Sequence, residues 1–382
     1  MRTHRRDGES GLALVLALLF IVLLSVLVVN FSYDGQVEAS FAENRGNDLG
    51  ARIAARSAVA QSMALLAADL LPENSDLQYD LTVLDTALDV WYLGSPLDPI
   101  NQNAYMRASI ADEYGKINLN ALLDYNQDPP VEREMLVEAL RGFFLDRAPD
   151  AEDPVDAILD WLDFGENDDE RPGGAEEDFY LAAETPFPCK NAQMDTLEEL
   201  LLIRGITPLV YWGDPELEQK PLTEYLTVHG DWQGRVNANT AEPEVLAAVV
   251  GAYDGSGFNY TYGEDIWIRA HEEQPFMDPG ELAEYVGQGE QAEEPQETKP
   301  ADEDTAEEDA AAVRVSPAQE AFRVNSNVFR IRGDGLAGDN LVRVEAYVWR
   351  TPLETGGMVP DFPEGTEPPA EPFRILAWHV IR

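Results

Sequence analysis

The chain has a single cysteine, Cys189, among its 382 residues. An internal disulfide is therefore excluded, and so is a zinc site built from several thiolates. Histidine is nearly as scarce. His4, His229, His271 and His379 are scattered, and no HExxH pair occurs. G-x-S-x-G nucleophile elbows and Walker A loops are also missing. The sequence nominates no catalytic residue, and a non-enzymatic protein is expected. Basic residues are few: 26 Lys and Arg stand against 72 Asp and Glu, a net charge of -46. Such a charge repels phosphate backbones, so nucleic acid is not an expected partner. It suits cation binding and solubility.

Charge is absent altogether from Leu12 to Val29, an apolar run with Ser25 as its one mild interruption. As a helix it spans about 27 Å, close to one bilayer core. Arg2, Arg5 and Arg6 precede it and the acidic body follows. That bias puts the N-terminus in the cytoplasm and everything after Asn30 outside. A cleavable signal peptide has a similar start but needs small residues at a cleavage site. The flank Val28-Val29-Asn30-Phe31-Ser32-Tyr33 lacks them, so a retained anchor is expected.

A hydrophobic content of 45% is ample for a core, and two or three structural units fit the length. Apolar residues recur at helical spacing through Ile53, Val59, Met63 and Leu66, and Pro72 closes the pattern. Anchor and continuation can form one helix, with Gly35, Gly46 and Gly50 as points of bending or fraying. Tyr79, Leu81 and Val83, then Val90-Trp91-Tyr92, then Tyr105–Ile110 read as short strands. Helical texture returns over Val131–Leu145, Pro154–Leu162, Thr196–Ile203, Pro243–Val250 and Asp278–Val286. Gln288–Ala312 is acidic and free of aromatics, and reads as a disordered linker. Strands resume at Phe322–Ile331, Leu341–Arg350 and Phe373–Ile381. In the second, Val342, Val344, Ala346 and Val348 share one face. Strand texture on both sides of a helical block predicts one sheet made from both flanks, with an inserted helical domain.

Gly333-Asp334-Gly335-Leu336-Ala337-Gly338 matches a dinucleotide fingerprint by letters, but a strand follows it where a helix is required. A hairpin loop is the better reading. The acidic segment Asp160–Tyr180 is different. Carboxylates crowd a loop broken by Gly and Pro, and Trp161, Phe179 and Tyr180 can anchor it. Ca²⁺ takes six to eight oxygen ligands in such settings. From composition alone, a solvated loop and a cation site both stand. Two further phrases are alike: Lys116-Ile117-Asn118-Leu119-Asn120 and Arg235-Val236-Asn237-Ala238-Asn239. Each puts Asn where a strand gives way to a helix and can cap its N–H groups. The second also looks like the opening of a helix-hairpin-helix module. That supports an alternative, a membrane-anchored binding module for DNA uptake.

Taken in order, these phrases resemble the type II secretion minor pseudopilin K family. The resemblance covers Glu9–Val29, Asp112–Leu123, Asp160-Trp161-Leu162-Asp163 with Gly174-Ala175-Glu176, Glu198–Tyr211, Arg235–Leu246 and the closing strands. It implies an α+β fold: a long transmembrane and assembly helix on a small antiparallel sheet, with a large all-α insertion. The implied divisions are a leader at 1–11, a membrane segment at 12–30, and helix and first strands at 31–115. A helical domain at 116–287, an acidic linker at 288–313 and closing strands at 314–382 follow.

The resemblance also implies processing by a prepilin peptidase after Gly11, leaving Leu12 as the new N-terminus. The fifth mature residue is then Leu16, where most pseudopilins carry Glu; a membrane-buried carboxylate is costly unless paired. Implied partners are the minor pseudopilins I and J, the major pseudopilin and the inner membrane, with the bulk of the chain periplasmic. The implied role is at the pseudopilus tip, helping start assembly for export of folded proteins. Finally, the family's calcium binding points to Asp160, Asp163, Asp169, Glu176 and Asp178 as ligands of a structural Ca²⁺.

Overall fold

One uninterrupted helix sets the long axis of the molecule. The computed structural model describes residues 7–70, 84–101, 103–149, 152–164, 170–290, 317–351 and 372–381. Helix α1 runs Asp7–Asp69, 63 residues, about 95 Å at 1.5 Å per residue. The helix is not interrupted at Gly35, Gly46 or Gly50. Isolated glycines in a helix this long are tolerated, each costing only about 1 kcal/mol. From Leu12 to Gln36 every residue is exposed, and the apolar run shows no polar face. A helix apolar all round belongs in lipid or among other helices. Beyond it the character changes. Ala51, Ala54, Ala55, Ala58, Val59 and Leu66 are buried along one stripe, spaced by threes and fours.

That stripe packs on a sheet. Strands β1 (Asp98–Pro99) and β2 (Ala104–Asp112) come first. The short β3 (Ile117–Asn118), β4 (Leu123–Asp124), β5 (Val131–Glu132), β6 (Leu226–Thr227), β7 (Val236–Asn237) and β8 (Phe322–Arg323) follow. Then come β9 (Val328–Ala337), β10 (Asn340–Arg350) and β11 (Phe373–Ile381). Five of these form an antiparallel sheet in the order β1-β2-β9-β10-β11. β2 pairs with β9 from Ala104↔Ala337 to Asp112↔Phe329, so both flanks of the helical block build one sheet. Val342, Val344, Ala346 and Val348 are buried as the alternation required.

The reading of Gly333–Gly338 as a hairpin loop is corrected. Gly333 to Ala337 lie inside β9, and only Gly338 and Asp339 make the turn. The strand glycines face α1. A Cβ on Gly333 would overlap the Ala55 carbonyl oxygen, and one on Gly335 that of Ala51. They are present because the backbones of helix and strand nearly touch.

Between β2 and β9 the chain forms the insert. Its helices are α2 (Glu134–Arg147), α3 (Val155–Leu162), α4 (Glu177–Leu181), α5 (Pro208–Trp212), α6 (Pro243–Asp254), α7 (Tyr260–Ile268), α8 (Pro279–Glu290) and α9 (Pro317–Ala321). Leu119, Leu140, Ile158, Leu200, Leu246, Phe276 and Phe322 share its core. Other readings shift here. Val131–Leu145 starts as β5, and its helix begins at Glu134. Thr196–Ile203 is a 3-10 turn, Leu197–Leu202, closed by a Thr196/Glu199 capping box. Val90-Trp91-Tyr92 is a turn, with Trp91 driven under the sheet against Phe329 at 5.1 Å. Tyr79, Leu81 and Val83 lie outside the described residues. Phe322–Ile331 is two strands, because Ser326 turns aside to bond Asp85 and Asp112. Accordingly Ala321, Phe322 and Val324 pack with the insert rather than with the closing strands. Of Gln288–Ala312 only Gln288–Glu290 are described, and they extend α8.

A buried polar network joins insert to sheet. Asn237 Nδ2 donates to the Asp85 carbonyl at 3.0 Å, to Asp112 Oδ2 at 3.0 Å and to Ser326 Oγ at 2.9 Å. Beside it Arg350, 3% exposed, bonds Asp85 at 2.6 Å and Asp69 at 3.0 Å.

Candidate metal centre

The acidic loop is shaped by the end of α3. Its apolar face docks Ile158, Leu159 and Leu162 in the core, which carries Asp160 inward to 0% exposure. The chain returns through Gly173-Gly174-Ala175 and donates to the buried carboxylate: Ala175 N lies 2.9 Å from Asp160 Oδ2. A side chain at Gly174 would occupy the place of that oxygen. Gly173 N donates to Asp156 Oδ2 at 3.0 Å, which fixes the loop a second time.

Glu176 follows at the start of α4. It is 1% exposed, and neither carboxylate oxygen has a hydrogen-bond partner. Burial, then the neighbouring Asp160 and Asp163 charges, push its carboxyl up to about 7. Burial likewise raises Asp160, against the pull of Arg171. Trp161 and Tyr180 wall the loop, their rings 5.3 Å apart. Cys189 sits behind it, a buried thiol pushed up to about 12 by burial, so it is no nucleophile at neutral pH.

Of the five residues singled out in the sequence, the fold therefore converges three: Asp160, Asp163 and Glu176. Asp178 is exposed on α4. An α-helical Asp two positions beyond Glu176 faces away from it. Asp169 lies outside the described residues. The sequence reading missed Arg171, whose Nη1 bridges Asp160 Oδ1 and Asp163 Oδ2 at 2.6 Å each. A lone Arg inside an acidic run was the available signal. Oxygen donors with one carboxylate wholly unpartnered suit the chemistry of a hard divalent cation, but among the described residues the carboxylates whose oxygens already lie within 4.8 Å of one another are Asp69, Asp85 and Asp89.

The two Asn phrases prove to be one device used twice. Asn118 Oδ1 accepts from Asn120 N, and Asn237 Oδ1 from Asn239 N, both at 3.1 Å. The second Asn of each then clamps a distant backbone. Asn120 accepts from Met194 N and donates to its carbonyl; Asn239 does the same to Phe276. Five residues past each clamped residue, a glutamate turns back to accept backbone N–H bonds: Glu199 from Asp195, Glu281 from Met277. β3 runs parallel to β6, and β7 parallel to β8. The insert is thus built from two versions of one unit. The amides of Asn237 and Asn239 are fully buried and spent on protein contacts, so they do not serve as phosphate ligands.

Residues 115–212, which hold the first of the two Asn phrases and the Met194 segment it clamps, match the family model described as type II secretion system (T2SS), protein K. No curated protein matches the chain. Among solved structures, a chain of the GspK-GspI-GspJ complex of the enterotoxigenic Escherichia coli type 2 secretion system is similar. The TM-score is 0.56 at 15% identity, covering 92% of this chain and 99% of that one. At that identity the likeness speaks for the fold alone. The matched segment sits inside that fold, and both likenesses agree with the resemblance to the type II secretion minor pseudopilin K family read from the sequence.

Proposed function

We propose that this chain caps the tip of a periplasmic pseudopilus and helps start its assembly with the minor pseudopilins I and J. The observation carrying this is the position of the insert along α1. The Gly338 turn lies beside Asn47, and Asn340 Nδ2 bonds the Asn44 carbonyl, toward the apolar end. The opposite end of the sheet holds Asp112, Phe329 and Arg350, which reaches Asp69 at the end of α1. The insert leaves and rejoins the sheet there. Its bulk lies distal to the membrane segment and would obstruct a subunit stacked above, while α1 stays free to pack on subunits below.

In this reading Leu12–Asn30 is a single membrane pass with the N-terminus cytoplasmic. A prepilin peptidase cuts after Gly11, and the major pseudopilin follows beneath. Leu16 suits a subunit with no amine above it to pair. Ca²⁺ is held by Asp160, Asp163 and Glu176, where it supplies the charge that fixes the α3–α4 loop. Co-purification of the full chain with minor pseudopilins I and J from membranes tests the assembly. A ternary complex is expected, and its absence overturns the proposal. Gold-labelled chain found along filament shafts rather than at one end would overturn the tip position.

A further inference from the structure

Arg171 is a cation that the chain itself delivers to the acidic loop. Besides spanning Asp160 and Asp163, its guanidinium holds Glu132 Oε1 through Nε at 3.1 Å and Nη2 at 2.8 Å. Glu132 belongs to β5, outside the loop, and its side chain is 39% exposed. The bridging Nη1 stands where an ion shared by Asp160 and Asp163 would stand. The substitution is incomplete, however. Within the loop the guanidinium satisfies two carboxylates, Asp160 and Asp163, and leaves both oxygens of Glu176 without a partner in a buried position.

Resting on the calcium reading above, we infer that Arg171 is a displaceable internal counter-ion. It holds the loop closed when no metal is bound. A divalent cation takes its place between Asp160 and Asp163 and recruits Glu176, while the displaced guanidinium stays tethered to Glu132. A divalent ion brings more charge and accepts more oxygen ligands than a guanidinium donor can reach. The exchange therefore favours the metal only above a threshold concentration. Arg171 sets that threshold, so the loop responds to calcium while its fold survives without it. The rigid planar fork suits the task, since its second edge remains bonded when the first lets go.

The test is calorimetric titration of CaCl₂ into the full chain in detergent micelles, with melting temperatures recorded with and without the ion. Wild type is expected to bind and to melt higher with calcium. Arg171→Gln is expected to bind about tenfold more tightly, having lost a charged competitor for two ligands. It should also melt lower than wild type without calcium and be rescued by the ion. Glu176→Gln is expected to bind at least about tenfold more weakly, with a charged ligand removed. If wild type binds but Arg171→Gln binds equally or more weakly, the displacement inference fails and the calcium reading stands. If wild type gives no binding heat and no melting shift, the calcium reading fails and takes the inference with it. Should Arg171→Gln fail to fold without metal, Arg171→Lys keeps a charge without the bridging fork. A smaller shift of the same sign is then expected, and no shift or the opposite sign overturns the inference.

Discussion

Gly335 of β9 lies so close beneath α1 that a Cβ there would overlap the carbonyl oxygen of Ala51. Neither partner can yield cheaply, because both are backbone. Gly335→Ala is expected to push the helix from the sheet and cost about 3 kcal/mol, the upper end of overpacking penalties. Denaturant unfolding of the full chain measures it. Wild-type stability in this variant would show that the helix seats more loosely than the contact implies.

Arg350 is a buried cation whose removal should be felt at both ends of the network. It bonds Asp69, Asp85, and the carbonyls of Leu66 and Ser326. Arg350→Met keeps much of the volume but leaves two carboxylates without their counter-charge. A loss of about 3–5 kcal/mol is expected from such one-sided breakage. Removing one of the two stranded carboxylates with Asp85→Asn in the same chain should recover part of it, and a double-mutant cycle reads the coupling.

The same corner makes stability depend on pH. Burial, and then the Asp69 charge, push Asp89 up to about 8, while burial and Asp85 push Asp69 up to about 7. Both folded values lie above the ordinary carboxyl value of 3.8. The native state therefore binds more protons than the unfolded chain, and stability falls as pH rises through the folded values. Melting temperature should drop from about pH 4, where the unfolded carboxyls ionise, to about pH 8, where the folded ones do, and level off above that. Asp89→Asn, neutral throughout, should flatten that slope; an unchanged slope would remove Asp89 as its source.

Much of this was legible in the sequence because periodicity reports burial. The apolar run and the alternating β10 announced themselves, and the contact face of α1 did so only in part: Val59 and Leu66 are buried, but Ile53 is exposed and alanines line most of the contact. What escaped was set by contacts distant in sequence. Gly333 and Gly335 looked like loop residues because nothing local discloses α1 lying over them. Trp91 sat in a β-prone triplet, yet a pocket beside Phe329 outweighed local propensity. At the acidic loop, composition named the carboxylates but not their geometry. Asp178 was counted with Glu176 although α4 turns it outward, and Arg171 was passed over although it pairs two of the chosen residues.

The Asn pairs carry the last prediction, since one local phrase performs one long-range task twice. Asn120 and Asn239 each exchange a donor and an acceptor with a single residue, Met194 or Phe276. Asn239 is fully buried, whereas Asn120 is only partly so and also donates to the Val228 carbonyl at 3.0 Å. Replacing either by Ala removes two or more bonds and strands the backbone groups left behind. Where water cannot enter, each stranded group costs about 1–3 kcal/mol. Asn239→Ala should therefore destabilise by about 3 kcal/mol or more, and Asn120→Ala by less, because solvent reaches part of its site. Amide hydrogen exchange gives the local readout. Protection should fall first at Phe276 in the one variant and at Met194 in the other. Loss spread evenly over the insert in both would mean that the two units do not hold their clamped segments separately.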